Sequence, residues 1–327
     1  MDKQKDRLFV FSGTANPALA ESICAYLGVP HAKATVARFP DLEVDVKIHE
    51  DVRGCDAFVV QPTCTPANEN LMELLILVDC LRRASARRIT AVMPYYGYGR
   101  KDRKDEGRVP ITSKLVANLI TTAGAHRVLA LDLHASQIQG FFDIPMDHLY
   151  AFPVFSRYLK DLALPNLAIV APDIGSLKMN RAYATALGAT LAFIDKRRIS
   201  ASETVVLDIV GKVEGKNVVM VDDMIATGGS IVEAARLVKK LGAKQVHVLA
   251  THAVLAGNAV SKLNSLEVEK YIFTDTIPLG EKKIDNCEVL TIAPLLGEAI
   301  RRIHDSESVS FLFDVNYATI QKNCEKG

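Results

Sequence analysis

The sequence predicts an α/β protein made of two similar, doubly wound domains, each with a mostly parallel sheet. Three observations lead there. Short apolar runs rich in β-branched residues alternate with segments of helical periodicity. The alternation stops once and begins again. The length, 327 residues, corresponds to about two domains of ordinary size.

In chain order, Leu8–Ser12, Ala57–Gln61, Ile89–Pro94 and Val128–Leu133 read as buried strands. Asn68–Ser85 reads as a helix because Leu71, Leu74, Leu75, Val78 and Leu81 fall on one face. Pro110–Ala123 is the next helix, with proline at an early helical position and Gly124 beyond its end. A non-periodic stretch bracketed by Pro145 and Pro153 then places the seam at Asp147–Pro153. The two domains are expected at residues 1–149 and 150–300. Leu167–Ala171, Leu191–Ile194, Val218–Val221, Val246–Ala250 and Val289–Ile292 are the strands of the second. Its helix Ser230–Leu241 turns Ile231, Ala234, Ala235, Val238 and Leu241 inward. A last helix, Leu295–His304, could pack on either half, and the tail at about 301–327 could pack on the first domain.

Composition narrows the function classes. Thirty-nine Lys+Arg against 38 Asp+Glu leave a charge of +1, which argues against a nucleic-acid-binding surface spread over the molecule. No apolar run approaches the ~20 residues that span a bilayer; Leu74–Val78 is five long. The charged segment Met1–Arg7 leads straight into a strand and does not read as a signal peptide. Cys24, Cys55, Cys64, Cys80, Cys287 and Cys324 form no CxxC pair and sit mostly in apolar runs, as reduced residues of a cytoplasmic protein do.

Open α/β sheets bind ligands at the C-terminal ends of their strands, so polar residues there carry the functional argument. In Val218–Ser230 a buried apolar strand ends in Asp222 and Asp223, then a small glycine-containing turn enters a helix. Backbone N–H groups of Thr227, Gly228, Gly229 and Ser230 at that helix start suit a phosphate, and the adjacent carboxylates suit sugar hydroxyls. The alternative is a plain helix capped by Ser230. Tyr95–Lys104 follows another strand and is aromatic, glycine-rich and basic. Its cations could grip a nucleoside triphosphate and its tyrosine rings could pack a base, or it could be a solvated charged loop. His134 ends a strand, where imidazole can bind metal or phosphate or act only as a structural hydrogen-bonder. Asp173 ends another and could bind Mg²⁺ or cap the next turn. Lys196, Arg197 and Arg198 follow Asp195, where cations suit charge developing on phosphoryl oxygens or serve as surface charge.

The glycine turn resembles the phosphoribosyl-diphosphate-binding motif of the type I phosphoribosyltransferases, which the ribose-phosphate diphosphokinases share. The order of motifs selects the second family. Arg38-Phe39-Pro40-Asp41, Gln61-Pro62-Thr63, Asn70 to Leu75, Tyr95 to Tyr98, Asp132-Leu133-His134-Ala135, Gln137 to Pro145, Asp195 to Arg198 and Val221 to Ile225 follow its pattern along most of the chain. The match continues through Thr274 to Pro278, Ala293 to Leu296 and Ser308 to Ser310.

This resemblance implies two domains of the type I phosphoribosyltransferase-like fold. It implies transfer of the diphosphoryl group of Mg·ATP to the 1-hydroxyl of ribose 5-phosphate, with Mg²⁺ as cofactor and AMP as a product. By the same resemblance Phe39, Asp41 and Glu43 would contact adenine from a neighbouring subunit. Arg100, Lys101, Asp102 and His134 would bind ATP, and His134 and Asp173 would hold the metal complex. Lys196 and Arg198 would be catalytic. Asp222, Asp223, Thr227, Gly228, Gly229 and Ser230 would bind ribose 5-phosphate. A homohexamer built from dimers is implied, with Arg53, Ser85, Ser308, Ser310 and Phe313 as candidates for a second, allosteric site. The chain departs from the family at several points. Ala226 stands at a common Asp, Leu42 at a common Gly, Lys101 at a usual Gln, and Ser176-Leu177 at a common Gly-Gly; Asp51 and Glu106 alter the regulatory neighbourhood. A phosphoribosyltransferase and a non-catalytic regulatory subunit are the competing readings.

Overall fold

Apolar strands alternating with one-faced helices give two units in the computed structural model, which describes residues 7–198 and 205–313, without the side chains of 196–198, 205–207 and 313. The first unit comprises residues 7–150, 276–278 and 291–313, and the second residues 151–198, 205–275 and 279–290.

The first unit opens with β1 (Leu8–Ser12), α1 (Pro17–Leu27) and an antiparallel hairpin, β2 (Ala34–Arg38) and β3 (Val44–Ile48). It continues with β4 (Asp56–Val60), α2 (Ala67–Arg83), β5 (Arg88–Met93), α3 (Thr112–Ala123), β6 (Arg127–Leu131) and β7 (Met146–Leu149). Local chemistry sets the helix ends. Asn16 accepts the Leu19 N–H at 3.3 Å, Pro17 starts α1, and Gly28 ends it at φ +68°. The sheet order is β1-β4-β5-β6-β7, all parallel. Phe9, Phe11, Ala57, Val59, Ile89 and Ala91 share one core with Leu74, Leu77 and Val78 of α2 and Val116 and Ile120 of α3. The alternate positions Val10, Phe58, Val60, Val92 and Leu129 are equally buried, as a sheet covered on both faces requires.

The second unit contains α4 (Phe152–Leu162), β8 (Leu167–Ala171), α5 (Leu177–Leu187), β9 (Thr190–Arg198), β10 (Val205–Val210), β11 (Asn217–Met224) and α6 (Gly229–Lys240). There follow β12 (Gln245–His252), α7 (Ala259–Asn264), β13 (Lys270–Thr274) and β14 (Cys287–Leu290). The sheet order is β10-β9-β8-β11-β12-β13-β14, parallel except for β9 with β10. The winding direction reverses between β8 and β11, which makes the gap beyond their C-terminal ends a topological switch point.

The final helix, α8 (Ala293–His304), belongs to the first unit and packs on α1. The two helices approach so closely that a Cβ on Gly297 would collide with the Tyr26 ring. Tyr26 Oη donates to Glu298 Oε2 at 3.3 Å across that contact.

Candidate active site

The switch point of the second unit carries the glycine turn. Asp173 follows β8, and its Oδ1 accepts the Ser176 N–H at 2.9 Å. Ser176 has φ −84°, so the serine that replaces the expected glycine carries no left-handed strain. β11 runs through Asp222 and Asp223, further than the strand expected over Val218–Val221. Asn180, fully buried on α5, clamps that strand: its Nδ2 donates to the Val221 carbonyl at 2.8 Å and its Oδ1 accepts the Val221 N–H at 3.3 Å. The residue just before the acidic pair is thus held by both its backbone groups. Nothing in the spacing of Asn180 marked it in the sequence, because its partner lies 41 residues away.

Burial pushes the Asp222 carboxyl well above the usual range, and the charges of Asp223 and Asp173 push it further. A cluster of this kind suits a cation or a set of hydroxyl donors. Gly228 takes φ +73° and stands where the N-cap would, and α6 begins at Gly229. Ser230 therefore lies inside the first turn and is not the cap, which overturns the plain capped-helix alternative for it. Asp173, Asp222, Thr227, Gly228, Gly229 and Ser230 line one open cleft of about 140 Å³, together with Met224, Ile225, Ala226 and Ile231. Asp223 is not among its lining residues. A larger depression, about 430 Å³, lies near Tyr271 and Asp285, away from the C-terminal strand ends. Topology and chemistry both favour the smaller cleft as the site.

β9 extends through Lys196 and Arg198, which pair with Leu207 and Val205 of β10. Their side chains lie outside the described residues.

In the first unit the loop after β5 folds differently from its sequence reading. Tyr95 and Tyr96 are 7% and 4% exposed, and Tyr96 Oη donates to the Ser113 carbonyl at 2.8 Å. Tyr98 donates to Asn68 Oδ1. The rings are tied into the fold instead of being offered to a base, because an aromatic run beside a buried strand gains more from the core than from water. A side chain on Gly97 would collide with the Thr63 carbonyl, so only glycine permits this approach. Arg100 is exposed, Lys101 Nζ lies 3.7 Å from Asp105, and Asp102 Oδ2 accepts from Gln137 Nε2 at 2.7 Å.

His134 is exposed and adjoins this loop: a Cβ on Gly99 would lie 3.8 Å from the His134 Cβ. Asp132 takes φ +38° ahead of it. The buried His148 Nε2 accepts the Leu133 N–H at 2.9 Å and fixes the turn that presents His134. Sequence reading missed His148, whose role exists only through a contact across 15 positions.

Phe39, Asp41 and Glu43 sit on the hairpin turn. Phe39 N–H donates to the Glu43 carbonyl at 2.9 Å, Leu42 N–H to the Phe39 carbonyl at 2.8 Å, and Glu43 N–H to Asp41 Oδ1 at 3.2 Å. Leu42 takes φ +72°, the conformation for which glycine is suited, so this departure carries backbone strain. Phe39 is 49% exposed and Leu42 is 75% exposed.

Of the allosteric candidates, Arg53 Nη1 donates to Ser85 Oγ at 3.3 Å. Ser308 Oγ bonds Ser310 Oγ at 3.0 Å, and the Phe313 side chain lies outside the described residues. Among the described residues no group of three His, Cys, Asp or Glu is arranged to hold a metal by protein alone. None of the described helices is long and apolar enough to cross a membrane.

Comparison with known proteins adds an independent line. Residues 8–124 match the model of the N-terminal domain of ribose phosphate pyrophosphokinase, and residues 197–314 that of the phosphoribosyl synthetase-associated domain. A ribose-phosphate pyrophosphokinase of Rhodopirellula baltica is 54% identical over 94% of this chain and 98% of its own. A chloroplastic ribose-phosphate pyrophosphokinase 1 of Arabidopsis thaliana is 50% identical over 96% of this chain and 79% of its own. The crystal structure of phosphoribosylpyrophosphate synthetase from Mycobacterium smegmatis superposes with a TM-score of 0.87 at 41% identity, covering 92% of this chain and 99% of that one.

Proposed function

The chain belongs to the ribose-phosphate pyrophosphokinase family, and from that membership we propose which of its own residues carry the family's reaction. The enzyme transfers the diphosphoryl group of ATP to the 1-hydroxyl of ribose 5-phosphate, giving 5-phosphoribosyl 1-diphosphate and AMP. The hydroxyl oxygen gives up its proton and forms a bond to the β-phosphorus as the bond from that phosphorus to the α,β-bridging oxygen breaks, and AMP departs with the electron pair of that bond.

The cleft of the second unit supports most of the assignment. We assign the 5-phosphate to the backbone N–H groups of Thr227, Gly228, Gly229 and Ser230 and to the hydroxyls of Thr227 and Ser230, where a twelve-residue helix starts. Asp222 and Asp223 are assigned to the ribose hydroxyls, with Asn180 holding their strand. Asp173 is the proposed metal-ligating side chain of this unit. Mg²⁺ fits it: three mutually repelling carboxylates attract a cation, and Mg²⁺ takes few protein ligands beside substrate phosphates and water. Bound there, the ion would neutralise phosphoryl charge. Lys196 and Arg198 are the proposed catalytic cations; removing either should cost about 3 kcal/mol of transition-state stabilisation.

In the first unit Arg100, Lys101, Asp102 and His134 are assigned to Mg·ATP. Phe39, Asp41 and Glu43 are assigned to the adenine of a neighbouring subunit. Arg53, Ser85, Ser308, Ser310 and Phe313 are the proposed allosteric set. A cytoplasmic homohexamer built from dimers completes the reading.

The test is product analysis with purified protein, Mg·ATP and ribose 5-phosphate, with and without inorganic phosphate. AMP formed only when ribose 5-phosphate is present is the expected result. ADP as the sole nucleotide product would overturn the diphosphoryl transfer.

A further inference from the structure

A buried carboxylate outside the assigned machinery organises the nucleotide side of the first unit. Glu73 on α2 is 1% exposed. Its Oε2 accepts the Thr14 N–H at 2.9 Å and Gln61 Nε2 at 2.9 Å, and its Oε1 accepts Thr14 Oγ1 at 2.7 Å and Arg38 Nη2 at 2.9 Å. Those four donors fill the roughly four lone-pair positions of one carboxylate. Three separate segments meet on it: the β1–α1 loop through Thr14, the end of β4 through Gln61, and the end of β2 through Arg38.

Arg38 is the last residue of β2, and Phe39 follows it directly. The stem of the hairpin is held by packing, with Val36, Val46 and Ile48 against the core. Beyond the stem the turn projects into solvent, and the Arg38 guanidinium ties it to α2 through Glu73 and, at 3.0 Å, through Glu69. The same network reaches the other nucleotide segment. Gln61 leads into Thr63, whose Oγ1 accepts the Gly97 N–H at 2.7 Å in the Tyr95–Arg100 loop. Asn68, also in the first turns of α2, accepts from Tyr98.

We propose that Glu73 is a positioning residue for nucleotide recognition, acting through Arg38 to fix the turn that carries Phe39, Asp41 and Glu43. The proposal rests on the reading that this turn meets the adenine ring. A neutral amide cannot replace the carboxylate. Glutamine offers one acceptor oxygen, so in either orientation of its amide two of the four donors face N–H groups, and Arg38 loses either its acceptor or the charge on it. Aspartate, one methylene shorter, would withdraw from Arg38.

The experiment measures KM for ATP, KM for ribose 5-phosphate, kcat and melting temperature for Glu73→Gln, Arg38→Met and Phe39→Ala. All three variants are expected to raise KM for ATP about tenfold, the scale of one lost charge-assisted contact. KM for ribose 5-phosphate should stay within about twofold, because a merely destabilised protein would lose both substrates together. Preference for ATP over GTP should fall in step. Arg38→Met removes the tie and leaves Glu73 with its Thr14 and Gln61 donors, so it decides the matter if Glu73→Gln does not fold. A raised KM for ATP in Phe39→Ala but not in Arg38→Met or Glu73→Gln overturns the positioning role and leaves the adenine reading standing. An unchanged KM for ATP in Phe39→Ala overturns the adenine reading and the proposal with it. Parallel loss of both substrates in Glu73→Gln, with Arg38→Met like the parent, reduces Glu73 to a structural residue.

Discussion

Asp222 shows how one residue's ionisation records its surroundings. Burial raises its pKa first, and the charges of Asp223 and Asp173 raise it further. For an acid the sign is unfavourable to folding: stability falls as pH rises from the ordinary carboxylate value, about 4, through the raised one. A ligand that supplies cations or hydroxyl donors offsets that cost. Asp222→Ala should therefore weaken ribose 5-phosphate binding more than ATP binding, measured as separate KM values; equal losses would indicate general damage. Leu42 is the opposite case, with a cost that lies in the backbone. A non-glycine residue at φ +72° carries about 1–2 kcal/mol of strain, part of which glycine returns as unfolded-chain entropy. Leu42→Gly should leave stability unchanged or raise it by up to about 1 kcal/mol in chemical denaturation. A clear loss would mean that the exposed leucine makes contacts with another subunit.

At the scale of elements, α8 is fastened by charge to the N-terminal ends of the interior strands β4 and β5 as well as by packing on α1. Asp56, at the start of β4, is 1% exposed and meets Arg87, Arg88 and His304. Burial alone would raise its pKa. Hydrogen bonds from His304, Arg88 and Arg87 outweigh that and hold the carboxyl far below the usual range. The Asp56 hydrogen bond in turn raises His304, against burial and the Arg88 charge; Asp305 adds to the rise. The two signs bracket the optimum. The Asp56 contribution is present above the unfolded carboxylate pKa of about 4 and is lost as pH falls through the depressed value. The His304 contribution is full below about 6.5 and is lost as pH rises through the elevated value. Asp56→Asn should cost about 3 kcal/mol near neutral pH, the scale of breaking a buried pair. It should also flatten the acid limb of the stability–pH curve followed by denaturant titration; a curve parallel to the parent's would show that this cluster does not fasten the helix.

At the scale of the whole molecule, the two sheets are wound differently. In the second the strand order reverses between β8 and β11, and the glycine turn sits beyond that reversal. In the first the order runs one way from β1 to β7, and α8 returns late in the chain to pair with α1. The proposed assembly into hexamers belongs to this scale too. Sedimentation at working concentration should give a mass about six times the 35.7 kDa chain. A monomer that retains full activity would remove the neighbouring-subunit role assigned to Phe39.

The sequence by itself determined the class of fold, most of the strands at the ligand end and the family. These rest on local properties: apolar runs, helical periodicity, and the linear order of motifs such as Asp132-Leu133-His134 and Val221-Asp222-Asp223. The hairpin of β2 and β3 was passed over, although Val44-Asp45-Val46-Lys47-Ile48 alternates apolar and charged residues as a half-buried strand does; its pairing with Ala34–Arg38 is settled by packing on the core around α2. The tyrosines of the Tyr95–Arg100 loop carry no local sign of whether they face ligand or core; the Ser113 carbonyl and the Asn68 side chain decided that. Glu73 stands within the Asn70–Leu75 motif, but its role, like those of His148 and Asn180, was invisible for the same reason. Each works through hydrogen bonds to residues 12 or more positions away, and only the folded chain brings such donors and acceptors within reach of one another.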